Sequence, residues 1–192
     1  MDLLAHAVYG ATACSRTGLA GGSKGAGRRW ISDWTVWCAA AFGILPDAVS
    51  MGVPFFTFLA AGAQDNFFHS FGGEGIVCYR YMHSLIVALT VAGLLRLAWR
   101  PLFIPSLAWP LHVAMDALTH GSGKWQTTIF YPLSAWGHDG IRWWQHPEIV
   151  LAYWLLLPTL WLGLWAWRRR KQNISQRISA CSSCRVWPDA SP

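Results

Sequence analysis

The stretch PLHVAMDALTH, residues 110–120, sets His112, Asp116 and His120 at intervals of four in an otherwise apolar run. On a helix, residues four apart differ by about 40° around the axis, so the three side chains share one narrow stripe. Neutral imidazole and ionised carboxylate are the ordinary ligands of a divalent cation, whose charge in turn keeps the carboxylate ionised. The same spacing also arises by chance, and a lone buried histidine is commonly satisfied by a backbone carbonyl. Company elsewhere in the chain separates the two readings: His6 in LLAHAVYG, Asp47 in ILPD and His83 in YRYMHSL also stand in apolar surroundings.

Those surroundings identify the solvent. Of 192 residues, 54% are hydrophobic and only 12% charged, with 14 tryptophans, whereas an average soluble domain is about 25% charged. The pattern is that of an integral membrane protein. Residues 149–167, IVLAYWLLLPTLWLGLWAW, carry no charge and at about 1.5 Å per residue nearly cross a bilayer core of roughly 30 Å. Arg168, Arg169, Arg170 and Lys171 follow at once, the mark of a cytoplasmic end. Residues 84–99 and 102–118 are apolar with only Arg100 and Pro101 between them, which predicts a tight helical hairpin. Residues 34–61 are apolar except at LPD, where Pro46 is expected to break the helix. The first twenty residues lack a basic n-region and an extended apolar core, so a retained helix over 6–20 is expected rather than a signal peptide.

The fold class expected is all-α: an integral membrane bundle of about four to five helices, some short or broken. Residues 1–167 form the embedded domain, and 168–192 a basic, disordered cytoplasmic tail. With the 168–171 cluster inside, residues 119–148 lie outside. His6, Asp47, His83, His112, Asp116 and His120 then approach the outer face together. Unpaired ionisable groups at membrane depth cost several kcal/mol and ordinarily face one another or a polar cavity, so a shared cation is the simplest compensation.

In order and spacing, LLAHAVYG, ILPD, YRYMHSL, WPLHVAMDALTHG and FYPLSAWGHDGIRWWQ together resemble the YdjM-type membrane-bound metal-dependent hydrolases over roughly residues 1–157. That family is similar in ligand pattern to the zinc-dependent phospholipase C and P1-nuclease group. The resemblance implies a bacterial inner-membrane hydrolase that uses metal-activated water on a phosphoester or other ester, with membrane lipid or a lipid-like ester as substrate. Many relatives carry a second acid after LPD, where this chain has Ala48, Val49 and Ser50, and a histidine where it has Tyr79. One metal ion, zinc, is therefore expected rather than two or three.

The ligands expected are His6, Asp47, His83, His112 and Asp116, since two or three imidazoles plus carboxylate leave a catalytic zinc a position for water. Asp116 is also a candidate acceptor for that water's proton. His120, just before Gly121, is either a ligand or catalytic group or a cap on helix carbonyls. His138 and Asp139 in AWGHDG supply a hydrogen-bond partner to a ligand or a general acid, or else form a turn, and Arg80 is a phosphate partner or an interfacial anchor. His69 and His146 read as loop residues. Trp136, Trp143 and Trp144 are expected to form an interfacial belt, and CSSC at 181–184 supplies only two thiols in a reduced tail.

Two other functions fit the same residues. A non-catalytic membrane protein would use a closed structural metal, and an ion path would need a polar stripe continuing to the cytoplasmic face, which 86–95 and 151–165 lack. The net charge of +6 resides in loops and the 168–171 cluster, where it meets anionic headgroups. No soluble basic face for nucleic acid is evident.

Overall fold

The computed structural model describes residues 1–25, 27, 29–62, 66–67 and 71–183, with 177–183 as backbone only. Among these residues all regular structure is helical. Three helices are long and apolar enough to cross a membrane, Trp34–Ala60, Arg100–Thr119 and Pro147–Gln176. Glu74–Met82 and Leu85–Ala98 would make a fourth span, bent by 57°.

The first helix, α1 (Leu3–Ala13), starts where Asp2 accepts the backbone N–H of Ala5 at 2.8 Å, an N-cap that satisfies one of the first turn's free donors. It is shorter and earlier than the 6–20 segment expected. The chain then passes through a 3-10 segment, Leu19–Gly25, to α2 (Trp34–Asp47), capped by Asp33. Pro46 does not end this helix. The chain widens into a π-turn over Ala48–Gly52 and continues as α3 (Val53–Ala60). The Ser50 hydroxyl donates to the Pro46 carbonyl at 2.6 Å, a side-chain bond to the backbone within the distorted turn. The expected break is a local distortion inside a full-length span.

Then come α4 (Glu74–Met82), α5 (Leu85–Ala98), α6 (Arg100–Ser106) and α7 (Ala108–Thr119). Only Trp99 separates α5 from α6, giving the predicted hairpin. The α6–α7 span is the most enclosed, half buried against 17% for the last span. Val113 of α7 packs on Ala88 of α5, and Ala108 packs on Ala39 of α2. The last helix, α8 (Pro147–Ser183), meets α1 through Tyr153, Leu157, Ala5 and Tyr9. It does not stop at residue 168: helix continues through 183, past the boundary expected for the tail, because the strong helix formers of RRRKQ follow the apolar run without a breaker. Residues 184–192 lie outside the described ones. Leu151, Leu155 and Leu162 on α8 are each at least 56% exposed, as expected of a face turned to lipid rather than water.

α1 and α2 approach closely at two glycines. A Cβ on Gly43 would lie 2.6 Å from the His6 carbonyl oxygen, and one on Gly10 2.8 Å from that of Ala39. Small residues permit such backbone contact between membrane helices. Gly43→Val is expected to lower stability by about 1–3 kcal/mol through overpacking, read as an earlier thermal unfolding transition in detergent. An unchanged transition would contradict this packing.

Candidate metal centre

Each of the four central side chains sits where its helix is interrupted or most enclosed. Asp47 ends α2 at the π-turn. His83 occupies the joint between α4 and α5: it caps α4, and Ser84 caps α5 by accepting the N–H of Val87 at 3.3 Å. His112 and Asp116 face inward from the middle of α7. One ligand atom from each of Asp47, His83, His112 and Asp116 lies within 4.8 Å of the other three.

Hydrogen-bond directions decide what this group can hold. His112 Nδ1 lies 2.6 Å from the Gly43 carbonyl oxygen and His83 Nδ1 3.0 Å from that of Tyr79. A carbonyl oxygen only accepts, so each Nδ1 carries hydrogen and, in the neutral ring, each Nε2 presents a bare lone pair. The two Nε2 atoms face each other at 3.2 Å. Asp116 Oδ2 lies 3.4 Å from His83 Nε2 and 3.3 Å from His112 Nε2, and Asp47 Oδ1 lies 3.2 Å from His83 Nε2. Electron pairs from four groups thus converge on one point, with no hydrogen left over to separate the two nitrogens. A divalent cation at that point satisfies all four at once, and the carbonyl-bound Nδ1–H groups hold both rings in the ligating orientation. The donor set fits a metal ion.

His6 enters differently from the expectation. Its Nε2 lies 2.8 Å from Asp116 Oδ1, the oxygen opposite the one that faces His83 and His112, and its ring stacks on His112 with centroids 3.7 Å apart. It stands outside the group of four and positions Asp116, with its buried Nδ1 lacking a hydrogen-bond partner among the described residues. The Met1 amine donates to the same Oδ1 at 2.8 Å and His120 Nδ1 lies 3.4 Å from it. Asp116 Oδ1 is therefore crowded with donors, which argues against Asp116 as the acceptor of a water's proton. His120 also caps α7, its Nδ1 3.2 Å from the Asp116 backbone oxygen.

The group is not sealed. The Asp47 side chain is 19% exposed while those of His83 and His112 are fully buried. Asp47, Asp116 and His120 form part of the wall of a cavity of about 830 Å³, whose remaining surface is largely apolar and aromatic, including Met51, Phe55, Tyr79, Trp125, Trp143 and Trp144. Tyr79 is a site residue that the sequence marked only as a missing histidine. Its ring stacks on His83 at 4.0 Å and its hydroxyl donates to the Trp125 carbonyl at 3.0 Å. Its place four residues before His83 was the available signal.

Other candidates fall away from the centre. Asp139 is exposed and accepts the Ser122 N–H, which holds its carboxyl below the usual carboxylate range; HDG lies in irregular loop, neither a turn nor part of the cavity wall. His146 is exposed and pairs with Glu148 at 2.8 Å. Arg80 is exposed and does not line the cavity. Trp136 is exposed and stacks on Phe130 rather than joining Trp143 and Trp144. His69 and Cys184 lie outside the described residues.

No protein-family model, curated protein or solved structure matches this chain. The geometry alone carries the assignment. Elemental analysis of detergent-purified protein is expected to find about one divalent ion per chain, and His112→Ala and Asp116→Asn to weaken metal binding by at least about tenfold. Equal metal content in all three proteins would contradict the site.

Proposed function

We propose that this protein is a membrane-embedded, metal-dependent hydrolase of the kind the YdjM-type motifs suggest, acting on an ester of a lipid-like amphiphile. The single observation behind this reading is that four converging ligands open, through Asp47, onto a large apolar cavity. A closed structural site would have no such opening, since a structural ion is fully enclosed by protein ligands while a catalytic one keeps a position for water.

Asp47, His83, His112 and Asp116 would hold the ion, for which zinc is the proposed identity because two imidazoles and two carboxylates suit it. When bound, such an ion supplies Lewis acidity, bringing the pKa of water towards about 7 and polarising the ester oxygen. The protein does the rest. Asp47, the partly exposed carboxylate, would give up its place at the ion to water and accept that water's proton at the cavity floor. His120 sits on the cavity wall with Nδ1 directed to a carbonyl, so its neutral ring presents a lone pair at Nε2, which would take on the proton that water releases and pass it, as the imidazolium, to the leaving group. His6 fixes Asp116, while the aromatic wall excludes water and receives acyl chain.

Among the described residues no lysine or arginine lines the cavity and the Met1 amine is already paired with Asp116, so the charge of a phosphoester would be met chiefly by the ion, and an uncharged carboxylic ester would be accommodated equally well. The setting proposed is the bacterial inner membrane, with the site near the outer face and Arg168–Lys171 in the cytoplasm.

Hydrolysis of fluorogenic carboxylic and phosphoric esters of increasing acyl length, assayed in mixed micelles with the zinc-loaded protein, tests the reading. Turnover is expected to rise with chain length, to vanish with a chelator, and to fall about 10²–10⁴-fold in His120→Ala with metal content unchanged. A fully loaded protein that cleaves none of these esters would favour a structural ion.

A further inference from the structure

A second cavity lies far from the His/Asp group. Along α8, Tyr153 contacts Asp2 near the metal centre, and Arg168 stands fifteen residues later, about 22 Å further on. Arg168 is only 9% exposed. Its Nε donates to the Gly22 carbonyl at 2.9 Å, Nη1 to that of Thr17 at 2.8 Å and Nη2 to that of Gly18 at 2.8 Å. All three partners are uncharged. Among the described residues Arg168 forms no ion pair. Asp33, which shares Thr17 with Arg168 as a partner, is engaged with Thr17 and Thr35.

A buried charge is ordinarily matched by an opposite one. Arg168 has none, and three of the five guanidinium N–H groups are used, leaving two. It borders a cavity of about 630 Å³ lined also by Thr17, Trp30, Trp161, Trp165 and Arg169, with no acidic residue in the lining. The Arg169 guanidinium lies 4.1 Å above the Trp165 ring, and Trp30 meets Trp161 edge to face at 5.9 Å. The loop is shaped around this cation: a Cβ on Gly25 would lie 2.5 Å from Arg168 Nη2.

We propose that this cavity binds the phosphate of an anionic membrane phospholipid. Two guanidiniums with free N–H groups match phosphate oxygens in charge and in fork geometry. The position favours a lipid over a free anion. The cavity stands where the apolar run of α8 gives way to cations, at the depth of headgroups, and its tryptophans are the residues that settle at that boundary. Exposed Leu162 and Trp165 provide an apolar surface beside it for acyl chains. The site is independent of the metal centre.

The test uses full-length protein in neutral detergent, with tryptophan fluorescence titrated by dioctanoyl phosphatidylglycerol, dioctanoyl phosphatidylcholine or inorganic phosphate at constant ionic strength. Phosphatidylglycerol is expected to saturate with an affinity at least about tenfold above the other two probes. Arg169→Gln, which disturbs no loop carbonyl, should weaken it about fivefold, the effect of one interfacial cation. Arg168→Lys keeps the charge but loses the fork and should weaken it further; if that variant does not fold, Arg169→Gln decides. His112→Ala should bind as wild type does. Equal affinity for both lipids, or no change in Arg169→Gln, would overturn the proposal. Inorganic phosphate binding as tightly as phosphatidylglycerol would assign the site to a soluble anion and overturn it too.

Discussion

Two imidazole nitrogens 3.2 Å apart, each with its ring hydrogen committed to a backbone carbonyl on the far side, cannot be neighbours in an apolar bundle without something positive between them. Two carboxylates close the same space, a demand that one divalent cation would meet at all four groups at once. The rest of the bundle is arranged around meeting it. α7 supplies two ligands from its most enclosed face. The close glycine contact of α1 with α2 brings the Gly43 carbonyl to His112 and the His6 ring to Asp116.

The remaining site residues stand at imperfections of the helices. Asp47 is at a π-turn, His83 at a 57° joint and His120 at a helix end. A straight membrane helix consumes its own backbone groups and presents side chains radially. An interrupted one frees carbonyls and redirects side chains into the bundle, which lipid tolerates only where protein encloses the break. The irregularities that make these spans poor by simple hydropathy are therefore the means by which they build a polar centre.

Much of this was legible in the residues. Apolar runs ending in cations marked spans, and the four-residue spacing of His112, Asp116 and His120 gave one stripe that survives in α7. The division of labour along that stripe was not legible, because it depends on which oxygen of Asp116 faces which neighbour. Oδ2 meets the ligating histidines, while Oδ1 is surrounded by donors, among them His6. Pattern reading equally misjudged Pro46, since it could not show the chain widening into a π-turn that carries the helix past the proline, and it set α8's end at residue 168 although no helix breaker stands there. The buried state of Arg168 was hidden too, because its burial comes from a loop a hundred and fifty residues away in sequence.

The metal edge in X-ray absorption tests the centre most directly. Protein purified without chelator and supplied with one equivalent of zinc is expected to show a shell of nitrogen and oxygen scatterers near 2.0–2.1 Å, with the outer-shell pattern of two imidazoles. That pattern should disappear in His112→Ala. A spectrum of hydrated zinc, without imidazole scattering in the wild-type protein, would contradict a shared cation between His83 and His112.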